Sequence, residues 1–371
     1  MRKKTLCVDT KLVVKNRENN SLKVRQKRTK KTLTPTLCAE AFDSDMACSY
    51  PQEVYKTIDG KISWNEKHEA HGKMLIPCGS CMQCRITNSL DWAVRCTNEM
   101  QMHEQSTFLT LTYETLPLNG SLDHKHFQAF IDKLRKNTKT KIRYFMCGEY
   151  GTNTDESIYG RSKLGRPHFH ALIFGYDFPD KEIYKKSRGG DNYYTSKKLT
   201  KWWGHGHAVI ANANFQTAAY ISRYITKKLK GNNHHVDDHY TRWQPDGPWI
   251  DLIDEKTGEI ELKVSITPEY QRQSTNRGLG YSYLIKYFTD VFPSDEIVIS
   301  GRTYQVPRYY TKILKEQNED LYDHIYSTRQ LNAAHNKLIS TDTRDYYKRA
   351  YDKELNAQKS LLKRIYEEEL S

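Results

Sequence analysis

The stretch that most restricts how this chain can fold is Arg166-Pro167-His168-Phe169-His170-Ala171-Leu172-Ile173-Phe174-Gly175. An apolar run that follows a proline and is closed by a glycine reads as a buried β-strand. Histidines at i and i+2 of a strand share one face, and Phe169 is turned to the other, into a core. Two imidazoles on one face of a stiff strand form half of a divalent-metal site. The same spacing recurs at His124/His126 and His205/His207. The first pair opens an amphipathic helix capped by Asp123, which sends its imidazoles to different faces, and the second has a glycine centre in a loop. A surface pair on a half-exposed strand is the alternative for any His-x-His. Only His168/His170 has an apolar centre within a strand.

Its length of 371 residues admits one large domain or two. No segment approaches the ~20 apolar residues of a membrane span, and no apolar stretch near the N-terminus suits a signal peptide, so a cytoplasmic protein is expected. The net charge of +13 is unevenly spread: residues 1–31 hold twelve Lys and Arg against two acids, Asp9 and Glu18. The remaining 340 residues carry only +3. An arm of this kind either touches nucleic acid nonspecifically or serves as a solubilising tail. Nucleic-acid binding by the folded part has to rest on local patches.

Four of the eight cysteines are Cys48, Cys78, Cys81 and Cys84, the last three at C-x-x-C-x-x-C spacing. In a reducing compartment such spacing argues for thiolates on a metal rather than disulfides. Tetrahedral zinc requires a fourth ligand, for which Cys48 is the first choice, ahead of Cys96, His71 and His68. An iron–sulfur cluster and a group of buried free thiols are the alternatives.

Downstream, a helix is expected from about Ile86 to Glu104, an alternating strand over Phe108–Tyr113 and an amphipathic helix over 123–136. A second strand spans Ile142–Gly151. Its alternation places Phe145, Cys147 and Glu149 on one face. Pairing of this strand with the histidine strand as a hairpin brings Glu149 to the imidazoles, and two histidines with one carboxylate leave coordination positions open. Residues 177–200 read as a polar surface excursion. Lys197, Lys198 and Lys201 beside Trp202 and Trp203 suit a single-stranded nucleic acid, unless the tryptophans are core. Asn214 caps a helix that Gly231 ends, with Tyr220 and Tyr224 one turn apart and Lys227 and Lys228 one turn further. Three other tyrosine pairs share that spacing, but only this one has the lysine pair beside it. A short glycine loop, Thr275–Gly280, precedes an aromatic helix (281–289), Val298–Tyr304 forms a hairpin strand, and the chain beyond Lys312 is mostly helical.

Strands and helices in this irregular order make an α+β domain on an antiparallel sheet. Metal ligands with open positions stabilise charge developing on a phosphoryl oxygen. A phenol, with a pKa near ~10, attacks phosphorus only when a metal-bound phosphate and an ammonium stand close. Such chemistry stores the phosphodiester energy in a tyrosine ester and cuts and rejoins DNA reversibly.

Five stretches in this order resemble the HUH-endonuclease replication initiators of rolling-circle replicons, in particular those of microvirus (gokushovirus-like) single-stranded DNA phages. They are PCGSCMQCR (77–85), FLTLTYE (108–114), CGEYG (147–151), RPHFHALIFG (166–175) and AAYISRYITKK (218–228), with a weaker echo at NRGLG (276–280). The resemblance covers about residues 48–231. It implies an antiparallel-sheet HUH nickase domain with magnesium or manganese on His168 and His170, and Tyr220 and Tyr224 as paired nucleophiles. Lys227 or Lys228 is the following lysine. A 5′-phosphotyrosine link would form, leaving a 3′-OH from which host polymerase and helicase continue replication at a phage origin, in the cytoplasm of an infected bacterium. Glu149 as third ligand rests on strand pairing alone.

The domain reading is a basic arm and linker (1–47), a cysteine-rich zinc-binding segment and helix (48–105), the HUH domain (106–310) and a helical accessory tail (311–371). A transposase or relaxase of the same chemistry is the nearest rival. A noncatalytic zinc-containing DNA-binding protein is the alternative from another class.

Overall fold

A computed structural model describes residues 48–359 apart from 60, 69–71, 118–119, 152–165, 188–189, 228–242, 245–246, 254–259, 266, 340–347, 350 and 357–358. Residues 224–227, 243–244, 247–253, 260–265, 333–334 and 336–339 are described by backbone only. The basic arm, Gly231, Lys228 and the side chains of Tyr224 and Lys227 therefore lie outside the described residues.

The chain opens with a small antiparallel sheet of β1 (Gln52–Lys56), β2 (Ile62–Ser63) and β3 (Lys73–Ile76), followed by helix α1 (Met82–Met100). This helix begins four residues earlier than its apolar pattern suggests, because Cys81 caps it by accepting a hydrogen bond from Cys84 N at 3.4 Å. Then come β4 (Ser106–Thr112), α2 (His124–Asn137), the hairpin β5 (Arg143–Tyr150) and β6 (Pro167–Phe174), and a second hairpin of β7 (Glu182–Lys186) and β8 (Asn192–Thr195). Helix α3 (Lys197–Trp203), β9 (Ala208–Asn212) and α4 (Phe215–Lys227) follow. After α4 the chain forms β10 (Trp243–Gln244), β11 (Gly247–Ile253), β12 (Ile260–Ser265) and β13 (Tyr270–Gln273). It ends in α5 (Tyr281–Lys286), α6 (Phe288–Val291), the hairpin β14 (Glu296–Ile299) and β15 (Arg302–Gln305), α7 (Arg308–Gln317) and α8 (Glu319–Ile339).

Seven strands join in one sheet of order β13-β5-β6-β4-β9-β8-β7, with antiparallel neighbours throughout. The architecture is α+β. The histidine strand β6 is flanked on both sides and covered on both faces, which explains why its sequence is a nearly continuous apolar run. One face carries Phe169, Ala171 and Ile173 with Leu109 and Leu111, packed against Phe127, Phe130 and Trp203 of α2 and α3. The other carries Phe145, Cys147, Leu172 and Phe174 under Cys96 of α1 and Ala218 and Ile221 of α4. Each such side chain, fully buried, contributes about 1.5–3 kcal/mol. A third cluster gathers Leu284, Val291, Tyr310, Leu314 and Ile325 around Val94 of α1.

Two sequence readings change here. Residues 177–200 are a surface excursion only in part, since β7 and β8 extend the main sheet and Leu199 of α3 enters its core. Trp203 is buried and donates its Nε1–H to Thr112 O at 3.2 Å, and Trp202 packs on Tyr176 and Phe178. The tryptophans are core.

Candidate metal and phosphoryl-transfer site

Hairpin register builds the site. The β5–β6 pairing sets Glu149 opposite His168 and Cys147 opposite His170, so the carboxylate and both imidazoles rise from one face at one end of the sheet. Glu149 Oε1 lies 2.6 Å from His168 Nε2 and 3.0 Å from His170 Nε2. The other ring nitrogens are occupied as well. His168 Nδ1 is 3.1 Å from Arg166 O, and His170 Nδ1 is 3.0 Å from Thr110 Oγ1 on the neighbouring strand β4. A carbonyl can only accept, so His168 carries its proton on Nδ1 and turns the Nε2 lone pair toward Glu149 whenever the ring is neutral. Phe108 lies nearly parallel to His170, with centroids 5.6 Å apart and planes inclined by 17°, and holds that ring flat.

Burial would raise the Glu149 carboxyl. The hydrogen bonds and charges of the two imidazoles outweigh it and draw the pKa down to about 2. His168 moves the opposite way: burial would lower it, but the Glu149 carboxylate raises it.

The donor set fits a divalent ion. Ligands held at right angles about 2.1 Å from a metal stand about 3 Å from one another, the separation seen across Glu149 Oε1 and the imidazoles. All three donors lie within 4.8 Å of one another. Two nitrogens and a carboxylate oxygen suit magnesium less well than a softer ion such as manganese.

Helix α4 brings Tyr220 to this site. Its cap is reciprocal: Asn214 Oδ1 accepts from Thr217 N at 2.8 Å and Thr217 Oγ1 accepts from Asn214 N at 2.9 Å. Anchored by Ala218 and Ile221 in the core, the helix sets the Tyr220 ring edge-on to His170, with centroids 5.3 Å apart, and to Phe108 at 6.0 Å. The Arg223 guanidinium stands 5.4 Å from the Tyr220 ring centroid. Tyr224 and Lys227 share α4 with Tyr220.

The four predicted cysteines also converge: Cys48, Cys78, Cys81 and Cys84 have sulfurs within 4.8 Å of one another. Antiparallel pairing of Gln52 with Ile76 brings the chain just before β1 against the chain just after β3, and this makes Cys48 the neighbour of Cys78. Backbone N–H groups point at the sulfurs: Cys78 N to Cys48 at 3.2 Å, Cys81 N to Cys78 at 3.3 Å and Ser49 N to Cys81 at 3.4 Å. Sulfurs 2.3 Å from a tetrahedral zinc stand about 3.8 Å apart, and Cys48 and Cys81 are 3.9 Å apart, so the set fits that ion. The hydrogen bond from Cys84 holds the Cys81 thiol down at about 4, although burial opposes it. Burial pushes Cys48 up to about 11. Cys96, a lower-ranked candidate, is buried in the sheet core instead.

Sequence reasoning missed three participants. Thr110 and Phe108 are legible only as strand residues, although their i, i+2 spacing puts them on the histidine face. Glu354 leaves no signal at all: it accepts from Ser49 Oγ at 2.7 Å and Met82 N at 2.9 Å, capping α1 beside the cysteines from 272 residues away.

Known proteins resemble the chain around this geometry. The family model for the phage replication-associated protein ORF2 group matches residues 106–229, the stretch that holds the triad and α4. Replication-associated protein ORF2 of Spiroplasma virus 4 is 27% identical over 315 residues, 77% of this chain and 86% of that protein. This chain is a relative of such phage proteins. Replication-associated protein ORF4 of Chlamydia phage 1 is 27% identical over 274 residues, 71% of this chain and 59% of that protein. Replication-associated protein VP4 of Bdellovibrio phage phiMH2K is 25% identical over 287 residues, 74% of this chain and 79% of its own length. No solved structure matches. Among the described residues, no helix is long and apolar enough to cross a membrane.

Proposed function

We propose that the chain is an HUH-type replication initiator that nicks and rejoins single-stranded DNA at a phage origin and so starts rolling-circle replication. One observation carries the reading: a tyrosine on a core-anchored helix stands against a His/His/carboxylate set of metal-ligand geometry. The names of the relatives support the replication role.

In the reaction, Tyr220 Oη attacks a backbone phosphorus. The Oη–P bond forms as the P–O3′ bond breaks, the phenolic proton is lost, and the departing oxygen takes up a proton to become a 3′-OH. The DNA 5′ end is left on the tyrosine. Glu149, His168 and His170 would hold a divalent ion, magnesium or manganese, which when bound polarises the phosphoryl oxygens and so lowers the barrier. Fixing the phenol on a helix rather than a loop limits its motion and raises its effective concentration at the phosphate. Tyr224, one turn further along α4, is assigned as the second nucleophile, which accepts a new strand while the first ester is resolved. Lys227 or Lys228 supplies the ammonium that stabilises the phenolate. Cys48, Cys78, Cys81 and Cys84 hold a structural zinc that staples the segment before α1. The free 3′-OH is then a primer for host polymerase, with helicase opening the duplex ahead, in the cytoplasm of the infected bacterium.

The deciding experiment mixes the protein with manganese and labelled single-stranded fragments of the surrounding genome and separates the products on a denaturing gel. A covalent protein–DNA band is expected, lost with chelator and in Tyr220→Phe/Tyr224→Phe. DNA binding without an adduct on any fragment would make the chain a zinc-containing DNA-binding protein instead.

A further inference from the structure

At the β13 edge of the main sheet, on the face opposite the metal ligands, a groove runs between the edge strand and helix α2. Alternation along β5 separates the two faces: Phe145, Cys147 and Glu149 point one way, while Tyr144 and Met146 point the other. Arg272 and Tyr270 of β13 pair with Met146 and Gly148, so they belong to the second face. The groove consists of two adjoining cavities of ≈ 490 and ≈ 520 Å³, which share Tyr144, Gln273 and Thr275 in their walls.

Its chemistry is one-sided. Arg135 and Lys141 line one segment and Arg272 the other, all three exposed, and no carboxylate lines either. Among the described residues none of these cations forms an ion pair. The Arg135 and Arg272 guanidiniums sit 5.9 Å and 6.0 Å from the centroids of the Tyr144 and Tyr270 rings. In a sequence whose part beyond residue 31 carries only +3, a wall of cations without acids is a local feature. Amides of Gln128, Gln273 and Asn276 add donors and acceptors of the kind that read base edges. The groove also begins close to the chemistry: Tyr270 pairs with Gly148, the residue before Glu149, and Gln273 lies three residues further along β13.

We propose that this groove binds the single-stranded DNA flanking the cut, which rounds the β13 edge from the metal face with its phosphates on Arg135, Lys141 and Arg272. A single strand is the occupant that fits. Each segment has the volume of a small-ligand pocket, whereas a duplex presents grooves up to about 12 Å wide and is bound by elements that project into it. Aromatic rings with arginines over them are the usual platform for unpaired bases. The assignment rests on the nickase reading for its biological sense, but not for its test.

Fluorescence anisotropy with a labelled oligothymidylate and the full chain measures binding across a salt series. Arg135→Ala/Lys141→Ala/Arg272→Ala is expected to raise Kd about tenfold or more and to flatten the log–log salt slope by about 2, the value for three single-strand phosphates. Unchanged thermal unfolding checks the fold, and Arg272→Lys should restore part of the slope. Binding within about twofold of the parent with the same slope overturns the proposal. A triple variant that loses duplex binding but keeps single-strand binding overturns the choice of occupant. Failure of the nickase reading would show separately, as absence of any covalent adduct from the unaltered protein.

Discussion

Strand β5 carries a buried acid–base cluster at each end, on the same face, and the two clusters do different things. At one end Glu99 of α1, 1% exposed, accepts from Arg143 Nη1 at 2.8 Å and Gly280 N at 2.7 Å and lies 3.0 Å from His103 Nε2. At the other end Glu149 faces two imidazoles. Both carboxyls are held below their ordinary values against the effect of burial. A guanidinium keeps its proton at any physiological pH and fills its geometry with hydrogen bonds, so the Glu99 cluster is permanently closed. Arg143 also donates to the carbonyls of Asn276 and Arg277, which ties the glycine loop to the sheet. Imidazoles are cations only on condition. Once deprotonated they offer lone pairs, and the Glu149 cluster can exchange two protons for one divalent ion. The same fold thus makes a strut from one buried carboxylate and a metal site from the other.

The largest effect should come from breaking the strut. Arg143→Met leaves the Glu99 charge buried beside only a conditional partner, and a loss of about 3–5 kcal/mol is expected in denaturant unfolding. If the loss is under about 1 kcal/mol, Glu99 is not held as a charge and the contrast fails.

Next comes the pH dependence of the metal-free protein. Glu149 has a depressed folded pKa, so its pairing contributes fully above about 4.5 and is lost as pH falls toward about 2. His168 has a raised folded pKa, so its share is present below about 6.5 and is lost as pH rises through the folded value. The pair therefore stabilises most between these limits, by on the order of 3 kcal/mol. Glu149→Gln should flatten that profile, whereas Arg143→Met should lower stability at every pH above the carboxylate range.

Metal binding sharpens the contrast further. Affinity for manganese, followed by calorimetry, should fall as pH drops and the imidazoles charge. Thr110→Val removes the group that orients His170 and should weaken affinity about 10–100-fold with little change in stability. The smallest effect is reserved for His103→Gln. Glu99 keeps Arg143 and Gly280, so about 1 kcal/mol or less should be lost, with manganese affinity unchanged.

Much of the fold and of the site is legible in the amino-acid sequence. The β6 strand, its hairpin with β5, the cap at Asn214 and the β14–β15 hairpin all follow from short-range patterns. At the last of these, Ser300 and Gly301 both take positive φ, 49° and 74°, as a two-residue hairpin turn requires. Cys48 is legible as a fourth thiol because the C-x-x-C-x-x-C run lacks one ligand. The tryptophans are not, because a Trp beside lysines looks the same whether its ring faces solvent or the sheet.

By itself the sequence determined residue types and their local faces: a histidine pair on one side of a strand, a tyrosine pair on one side of a helix, three cysteines in step. These follow from periods of two and of 3.6, which the backbone imposes on neighbours. Only the tertiary structure decided which faces meet. It set Tyr220 against His170, put Thr110 behind the same ring, brought Glu354 onto the cysteine segment and left three cations without acids along the β13 edge. Those partners lie 50 to 305 residues apart in pairs such as Tyr220/His170 and Ser49/Glu354. At such separations no local period links them, and what joins them is the burial of shared apolar faces in one sheet.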